Sequence, residues 1–324
     1  MINLIKDCLA KNKDRLSLTD AQIRSLGFVL TVGYRKWIAF VFLENCQLPS
    51  FVVKISDDHT VFDFVLNSYR VLSNIHESNS AFIKDSIPLP VCLINDDSRL
   101  IVVNTYLDGT PMALGGAAEA QNKNMELAIS WLTEFHNSTR SRELDIGTNE
   151  GKRFLLDKID SLILDLELTD SRSGFIESIK EKIRSLTSGK LPLVIRHNDF
   201  EHTNILLKDD SIRVIDWEYS KLDELPFCDL FTIILKYWFL AGKSAAKTPH
   251  GALKPGAMNY LDSFFTPTCL STNICALTDK YCEKLNICKE IVELIFAIYI
   301  LERKDEALLD LCIKHQDSLI FKTR

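Results

Sequence analysis

The chain has no surplus of positive charge. Its 38 Lys and Arg against 44 Asp and Glu leave a formal net charge of −6, and no basic tail or basic run interrupts the scatter. Nonspecific binding to nucleic acid, which needs a concentrated positive surface, is therefore disfavoured. No apolar run approaches the roughly 20 residues of a membrane span. The most apolar stretches, residues 230–240 and 291–301, are interrupted by Lys236 and Glu293, and read as core helices. The opening residues, MINLIKDCLAKNKDRL, lack the apolar core and small-residue cleavage site of an export signal and pattern as an amphipathic helix. The nine cysteines, at positions 8, 46, 92, 228, 269, 275, 282, 288 and 312, are odd in number and include no C-x-x-C. Neither a disulfide framework nor a zinc site is indicated, and the expectation is free thiols in a reducing cytoplasm. There are no internal repeats or low-complexity tracts.

What is present is the composition of an ordinary globular protein, with 46% hydrophobic and 25% charged residues in 324. That length accommodates two lobes, each with a core of its own. Residues up to about 106 alternate in strand fashion around one helix near residues 61–75. From about residue 124 onward the pattern is mainly helical. The intervening Leu107-Asp-Gly-Thr-Pro-Met-Ala-Leu-Gly-Gly is rich in turn formers and predicts a hinge, which divides the chain into 1–106 and 107–324. A second loop-like stretch spans residues 243–260.

The richest chemistry lies in residues 194–216, VIRHNDFEHTNILLKDDSIRVID. His197, Asp199 and Asn204 fit H-x-D-x-x-x-x-N, a spacing that lets a curled loop aim a carboxylate and a carboxamide into one cleft. Residues 205–208 and 212–215 alternate about Asp209-Asp210-Ser211 and read as a hairpin, which returns Asp216 beside Asn204. A carboxylate and a carboxamide oxygen together suit a hard cation that bridges phosphates, as magnesium does. Each of these residues alone would more commonly be a turn or cap; the ordered set points to phosphoryl transfer.

HNDFEHTNILL followed by VIDWEYS resembles the aminoglycoside phosphotransferase and choline kinase superfamily of small-molecule kinases, with H-N-D and D-W-E-Y leaning toward its amino-alcohol branch. The resemblance implies an α+β, two-lobed protein-kinase-like fold. A small antiparallel sheet with one main helix would form the nucleotide lobe, and a larger helical lobe would carry the catalytic hairpin. It implies ATP, with GTP as the alternative, and Mg²⁺ as cofactors, and a small-molecule alcohol as acceptor. Asp199 would be the catalytic base, and Asn204 and Asp216 the metal ligands. His197, Glu218 and Asp229, the last in a P-x-x-D-L match, would be supporting groups. Phe51-Val-Val-Lys54-Ile-Ser56 is similar to the strand whose lysine grips the phosphates. Residues 28–42 resemble the first hairpin, with Gly33 near its turn, and backbone groups at Thr105 and Leu107 would face the adenine.

The pattern also has departures. The small-lobe helix offers Asn67 or Ser68 where the family places a glutamate to pair with the strand lysine, which leaves the partner of Lys54 unidentified, with Asp63, one turn earlier, as one candidate. Gly33 stands alone in TVGYRKW, where protein kinases carry three glycines. Asp199 is followed by Phe-Glu-His with no lysine, and neither a D-F-G glycine nor an A-P-E appears, so a protein substrate is disfavoured. These departures support one alternative, a degenerate nucleotide-binding or scaffold protein on the same fold. For the acceptor, Trp217, Tyr219, Tyr237, Trp238 and Phe239 beside Asp223 and Glu224 are candidates for a cation site. An amino alcohol, an aminoglycoside and a sugar-like hydroxyl all fit the same residues. His136 and His202 read as structural.

Overall fold

The computed structural model describes residues 2–33, 35–78, 81–96, 98–112, 118–245 and 269–315, and it divides into two compact units. One is Met1–Met112 with Thr203–Lys221, the other Ala113–His202 with Leu222–Arg324. The first unit is therefore discontinuous in sequence: the chain leaves it after residue 112 and returns for nineteen residues from Thr203 to Lys221.

In the first unit, helices α1 (Ile2–Lys11) and α2 (Asp20–Arg24) precede a five-stranded antiparallel sheet. Its strands are β1 (Gly27–Gly33), β2 (Lys36–Phe42), β3 (Phe51–Ser56), β4 (Pro90–Asp96) and β5 (Arg99–Thr105), in the order β1-β2-β3-β5-β4. Thr19 and Gln22 form a reciprocal capping box that sets the start of α2. The alternation read from the sequence has a physical basis in Ala39, Val41, Val53, Ile55, Ile101 and Val103, which point to one face and bury there with Ile5, Cys8 and Leu9 of α1. Helix α3 (Phe62–Ser78) covers the opposite face through Val65, against Leu100 and Val102. Helix α4 (Ala81–Ser86) leads into β4.

One expectation is corrected here. Cys8 of α1 and Cys92 of β4 form a disulfide, with Cα atoms 6.5 Å apart. The partners lie 84 positions apart, and nothing local in the sequence marks them. Cys46, Cys228, Cys275, Cys282, Cys288 and Cys312 are free thiols.

The short strand β6 (Thr110–Pro111) and the returning hairpin, β9 (Ile205–Lys208) and β10 (Ser211–Val214), complete the first unit as a second sheet in the order β10-β9-β6. The hairpin matches the sequence reading to within one residue. Asp209 and Asp210 both take positive φ in its turn, a conformation Asp tolerates better than most residues.

The second unit contains α5 (Ala118–Ser138), α6 (Asn149–Ile163), α7 (Asp170–Ser185), α8 (Cys228–Ala245), α9 (Cys269–Leu285), α10 (Val292–Arg303) and α11 (Glu306–Lys314). It also carries a small sheet that the helical pattern did not announce: β7 (Arg142–Asp145), β8 (Lys190–Arg196) and β11 (Lys221–Glu224), in the order β11-β8-β7. Strand β8 is buried at every position from Leu191 to Arg196, so it shows no alternation and periodicity does not separate it from a core helix. The two most apolar stretches are core helices, as read: Leu230, Phe231, Ile233 and Ile234 in α8 and residues 292–301 in α10 are buried. Residues 243–245 continue α8 rather than opening a loop, and the rest of the expected loop, 246–260, lies outside the described residues. Among the described residues, no helix is long and apolar enough to cross a membrane.

Candidate functional site

In the first unit, strand pairing places Lys36 on β2 and Lys54 on β3. The hairpin then delivers Asp216 and Glu218 to both of them. Lys54 Nζ donates to Asp216 Oδ1 at 2.6 Å and to Glu218 Oε1 at 2.7 Å, across 162 and 164 positions of sequence. Lys36 Nζ donates to the same Glu218 oxygen at 2.5 Å and lies 4.0 Å from Asp216. Lys54 is 8% exposed and Glu218 7%, so this ammonium and carboxylate neutralise each other largely out of water, with Lys36 and the more exposed Asp216 beside them. Burial by itself would lower the Lys54 pKa. Asp216 and Glu218 outweigh it, and the group is held protonated, above its ordinary value of 10.5.

Asp63, the acid proposed from the sequence to pair with Lys54, is exposed on α3 and forms no ion pair among the described residues. The partners come from the returning hairpin instead. What α3 contributes is Asn67, one of the two residues read at that helix position, whose Nδ2 donates to the carbonyls of Glu218, at 3.1 Å, and Ser220, at 2.7 Å. The amide thus holds the backbone of the segment that carries the acid. Lys36 is the residue that sequence reading missed. It opens β2 directly after Arg35 and the turn, with apolar residues on one side only, so it lacked the signal that marked Lys54.

Asn204 is buried, and its carbonyl accepts from Ile215 N–H at 3.0 Å, which sets residues 204 and 215–216 side by side. Asp216 itself has φ 66° and ψ 63°. An aspartate held in the left-handed region is a local cost that tertiary structure must offset, and it aims the carboxylate back at Lys54. A carboxamide and a carboxylate are hard oxygen donors of the kind magnesium takes.

At the end of β5, Thr105 N–H bonds to the Leu89 carbonyl and Thr105 Oγ1 accepts from Leu89 N–H, both at 2.9 Å. Gly33 closes the β1–β2 register opposite Lys36; Tyr34, in the turn itself, lies outside the described residues.

In the second unit, β8 runs into the loop bearing His197, Asn198 and Asp199. Asp229, at the start of α8 and fully buried, accepts from His197 N–H at 2.7 Å and from Asn198 N–H at 2.8 Å. Asn198 takes φ 66°, which turns the chain so that Asp199 N–H donates to His197 Nδ1 at 3.3 Å. Behind Asp229, His136 of α5 is buried, with Nε2 3.5 Å from Asp229 Oδ2 and Nδ1 2.5 Å from Tyr281 Oη. Phe227 N–H donates to the same phenol oxygen, so the tyrosine proton is free to go to His136 Nδ1. Burial lowers the His136 pKa below its usual 6.5, against the opposing pull of Asp229.

Lys236, two residues beyond the buried Ile234 of α8, donates to Asp199 Oδ1 at 3.3 Å and also pairs with Glu201. His202 keeps a buried Nδ1 without a partner among the described residues.

Three of the residues considered for a cation site, Trp217, Glu224 and Tyr219, make other contacts. Trp217 is buried and donates to Val214 O at 3.0 Å, so neither ring face is open. Glu224 is taken up by Lys158 at 2.6 Å and Arg196 at 3.4 Å. Tyr219 is half exposed against Phe64. The side chains of Tyr237, Trp238 and Phe239 lie outside the described residues.

Residues 38–248 match the phosphotransferase enzyme family known as APH. No curated protein sequence matches the chain. In fold the chain is similar to a thermostable mutant of aminoglycoside phosphotransferase APH(4)-Ia, solved with ADP and hygromycin B, at 10% identity and a TM-score of 0.50 over 89% of this chain and 94% of that one. It also aligns with choline kinase LicA from Streptococcus pneumoniae, at 14% identity and a TM-score of 0.42 over 98% and 99% of the two chains. A choline/ethanolamine kinase family protein from Mesorhizobium loti aligns at 12% and 0.41 over 98% and 95%. At such identities the likeness concerns fold alone, and of these three the first carries it. The family match is a different kind of finding, because it takes in more than half of the chain in one continuous span: the chain belongs to the phosphotransferase enzyme family and is a small-molecule kinase of protein-kinase-like fold.

Proposed function

We propose that the protein transfers the γ-phosphate of ATP to a hydroxyl of a small molecule. The observation that carries this reading is the convergence of Lys54 with Asp216 and Glu218, which brings a phosphate-gripping strand lysine and a metal-binding aspartate together from opposite ends of the first unit's sequence. Lys54 holds the α and β phosphates once nucleotide enters, with Glu218 keeping its ammonium aimed and charged. The Thr105 carbonyl and Leu107 N–H receive the adenine edge. Asn204 and Asp216 hold Mg²⁺, which when bound offsets charge on the phosphate oxygens.

Asp199 orients the acceptor hydroxyl and takes its proton. Its place in the chain, five residues before Asn204, ties the base to the metal-binding hairpin by a short covalent link. His197 and Asp229 keep the loop in the shape that presents it. Little covalent chemistry is asked of the protein, and most of the acceleration is positioning and charge compensation. GTP is accepted in place of ATP if the adenine groove reads shape more than edge pattern.

The test is magnesium-dependent ADP release across choline, ethanolamine, aminoglycosides, simple sugars and homoserine. Asp199→Asn is run in parallel. Stimulation by one compound, lost by about 10²-fold or more in the variant, is the expected result. ATP that fails to bind at all would remove Lys54 and Asp216 from the nucleotide site. Stimulation that survives in Asp199→Asn would remove the base.

A further inference from the structure

The catalytic loop carries no lysine after Asp199. The residues there are Phe200, Glu201 and His202. A cation reaches Asp199 all the same, from α8. Lys236 follows a helical run, Leu230 to Leu235, that is apolar but for Thr232, with Leu230, Phe231, Ile233 and Ile234 fully buried. A lysine on such a helix ordinarily extends its stem along the apolar surface and places its ammonium in water. Lys236 instead turns its ammonium onto two carboxylates of the loop, Asp199 and Glu201, and its side chain is 28% exposed.

The helix grips the loop twice. Asp229 and Lys236 are seven residues apart, two turns along one face of α8. Asp229 takes the backbone N–H groups of His197 and Asn198, and Lys236 takes the side chains of Asp199 and Glu201. The first contact fixes where the loop's backbone runs. The second fixes which way the Asp199 carboxylate points.

Resting on the phosphoryl-transfer reading, we propose that Lys236 is a positioning residue for the reaction: it sets the rotamer of Asp199 from helix α8, with Glu201 holding the ammonium in place. Lys236 acts through Asp199, supplying from a distant element the charge that the loop lacks. A lysine serving only as a surface ion pair would contribute little to stability and nothing to rate.

The experiment uses the full chain with MgATP alone, water serving as the phosphoryl acceptor and ADP formation as the readout. The variants are Lys236→Met, Lys236→Arg, Asp199→Asn, and Asp199→Asn with Lys236→Met. Lys236→Met is expected to lower kcat about 10–100-fold with KM for MgATP unchanged. Lys236→Arg is expected to recover most of the rate. In the Asp199→Asn background, Lys236→Met is expected to have less than about a 2-fold effect, because residues acting as one unit are not additive. Urea midpoints of the variants separate loss of fold from loss of orientation. A Lys236→Met rate equal to wild type overturns the inference, and so does an equal loss with and without Asp199. A change confined to KM overturns it as well. Wild-type protein that forms no more ADP than Asp199→Asn overturns the inference, while the phosphotransfer reading falls only if the acceptor panel also fails to stimulate release.

Discussion

Glu218 is the residue whose importance geometry raised most. From the sequence it was a supporting acid next to the metal aspartate. In the structure it is the shared partner of Lys36 and Lys54 and is buried with them. Removing one member of a buried ion cluster leaves an uncompensated charge, so Glu218→Ala should cost about 3–5 kcal/mol of unfolding free energy. The exposed Asp63, truncated in the same way, should stay within about 0.5 kcal/mol of wild type in the same urea titration. Equal losses would return Asp63 to the pairing role read from the sequence. His136 makes a second prediction, on pH. Burial lowers its pKa, so the folded protein keeps it neutral while the unfolded chain, near the ordinary 6.5, takes up a proton. Its contribution is therefore complete above about pH 6.5 and declines as pH falls through that value toward the depressed folded pKa. His136→Gln should be less stable at pH 7.5 and lose less on going to pH 5.5, as followed by urea midpoints. An unchanged slope would show that His136 is not the titrating group. The residue types were legible in sequence because phosphoryl transfer restricts them at short spacing. The partners were not, because a pairing across 162 or more positions leaves no local trace.

Among the elements, those with one wet face announced themselves. Strand β2, the amphipathic α1 and the β9–β10 hairpin alternate or cycle in sequence because half of each faces solvent or a second layer. Strand β8 and the sheet it centres did not, since a strand buried on both sides reads like any apolar run. Helix α8 was legible as a core helix, and Lys236 within it registered only as an interruption; its meaning required the loop to be in place. The link between α1 and β4 was likewise invisible. A bridge closing a span of 84 positions is expected to stabilise the first unit by about 2–4 kcal/mol. Reductant should therefore lower the urea midpoint of wild type and leave that of Cys92→Ala, already lowered, where it stands. A wild-type midpoint indifferent to reductant would mean that the helix is held by Ile5 and Leu9 packing alone.

At the scale of the whole molecule, the division into units cuts across the order of the chain. The proposed base, Asp199, belongs to the second unit, and the proposed metal ligands Asn204 and Asp216 belong to the first. The chain first leaves the first unit after Met112, within the stretch 107–116 that the sequence marks with turn formers. The return at Thr203 had no compositional mark, because a hairpin that belongs to a distant sheet has the same pattern as one that belongs to its neighbours. That return also orders events in time. Synthesis from the N-terminus exposes Lys54 164 residues before Glu218 exists. At translation rates of about 5–20 residues per second, the wait is roughly 10–30 s. Through that interval the nascent sheet holds a lysine on β3 whose neutralising acids have not been made, and it must keep that strand wet or unformed. The first unit thus begins to be translated well before the segment that lets it close has been made.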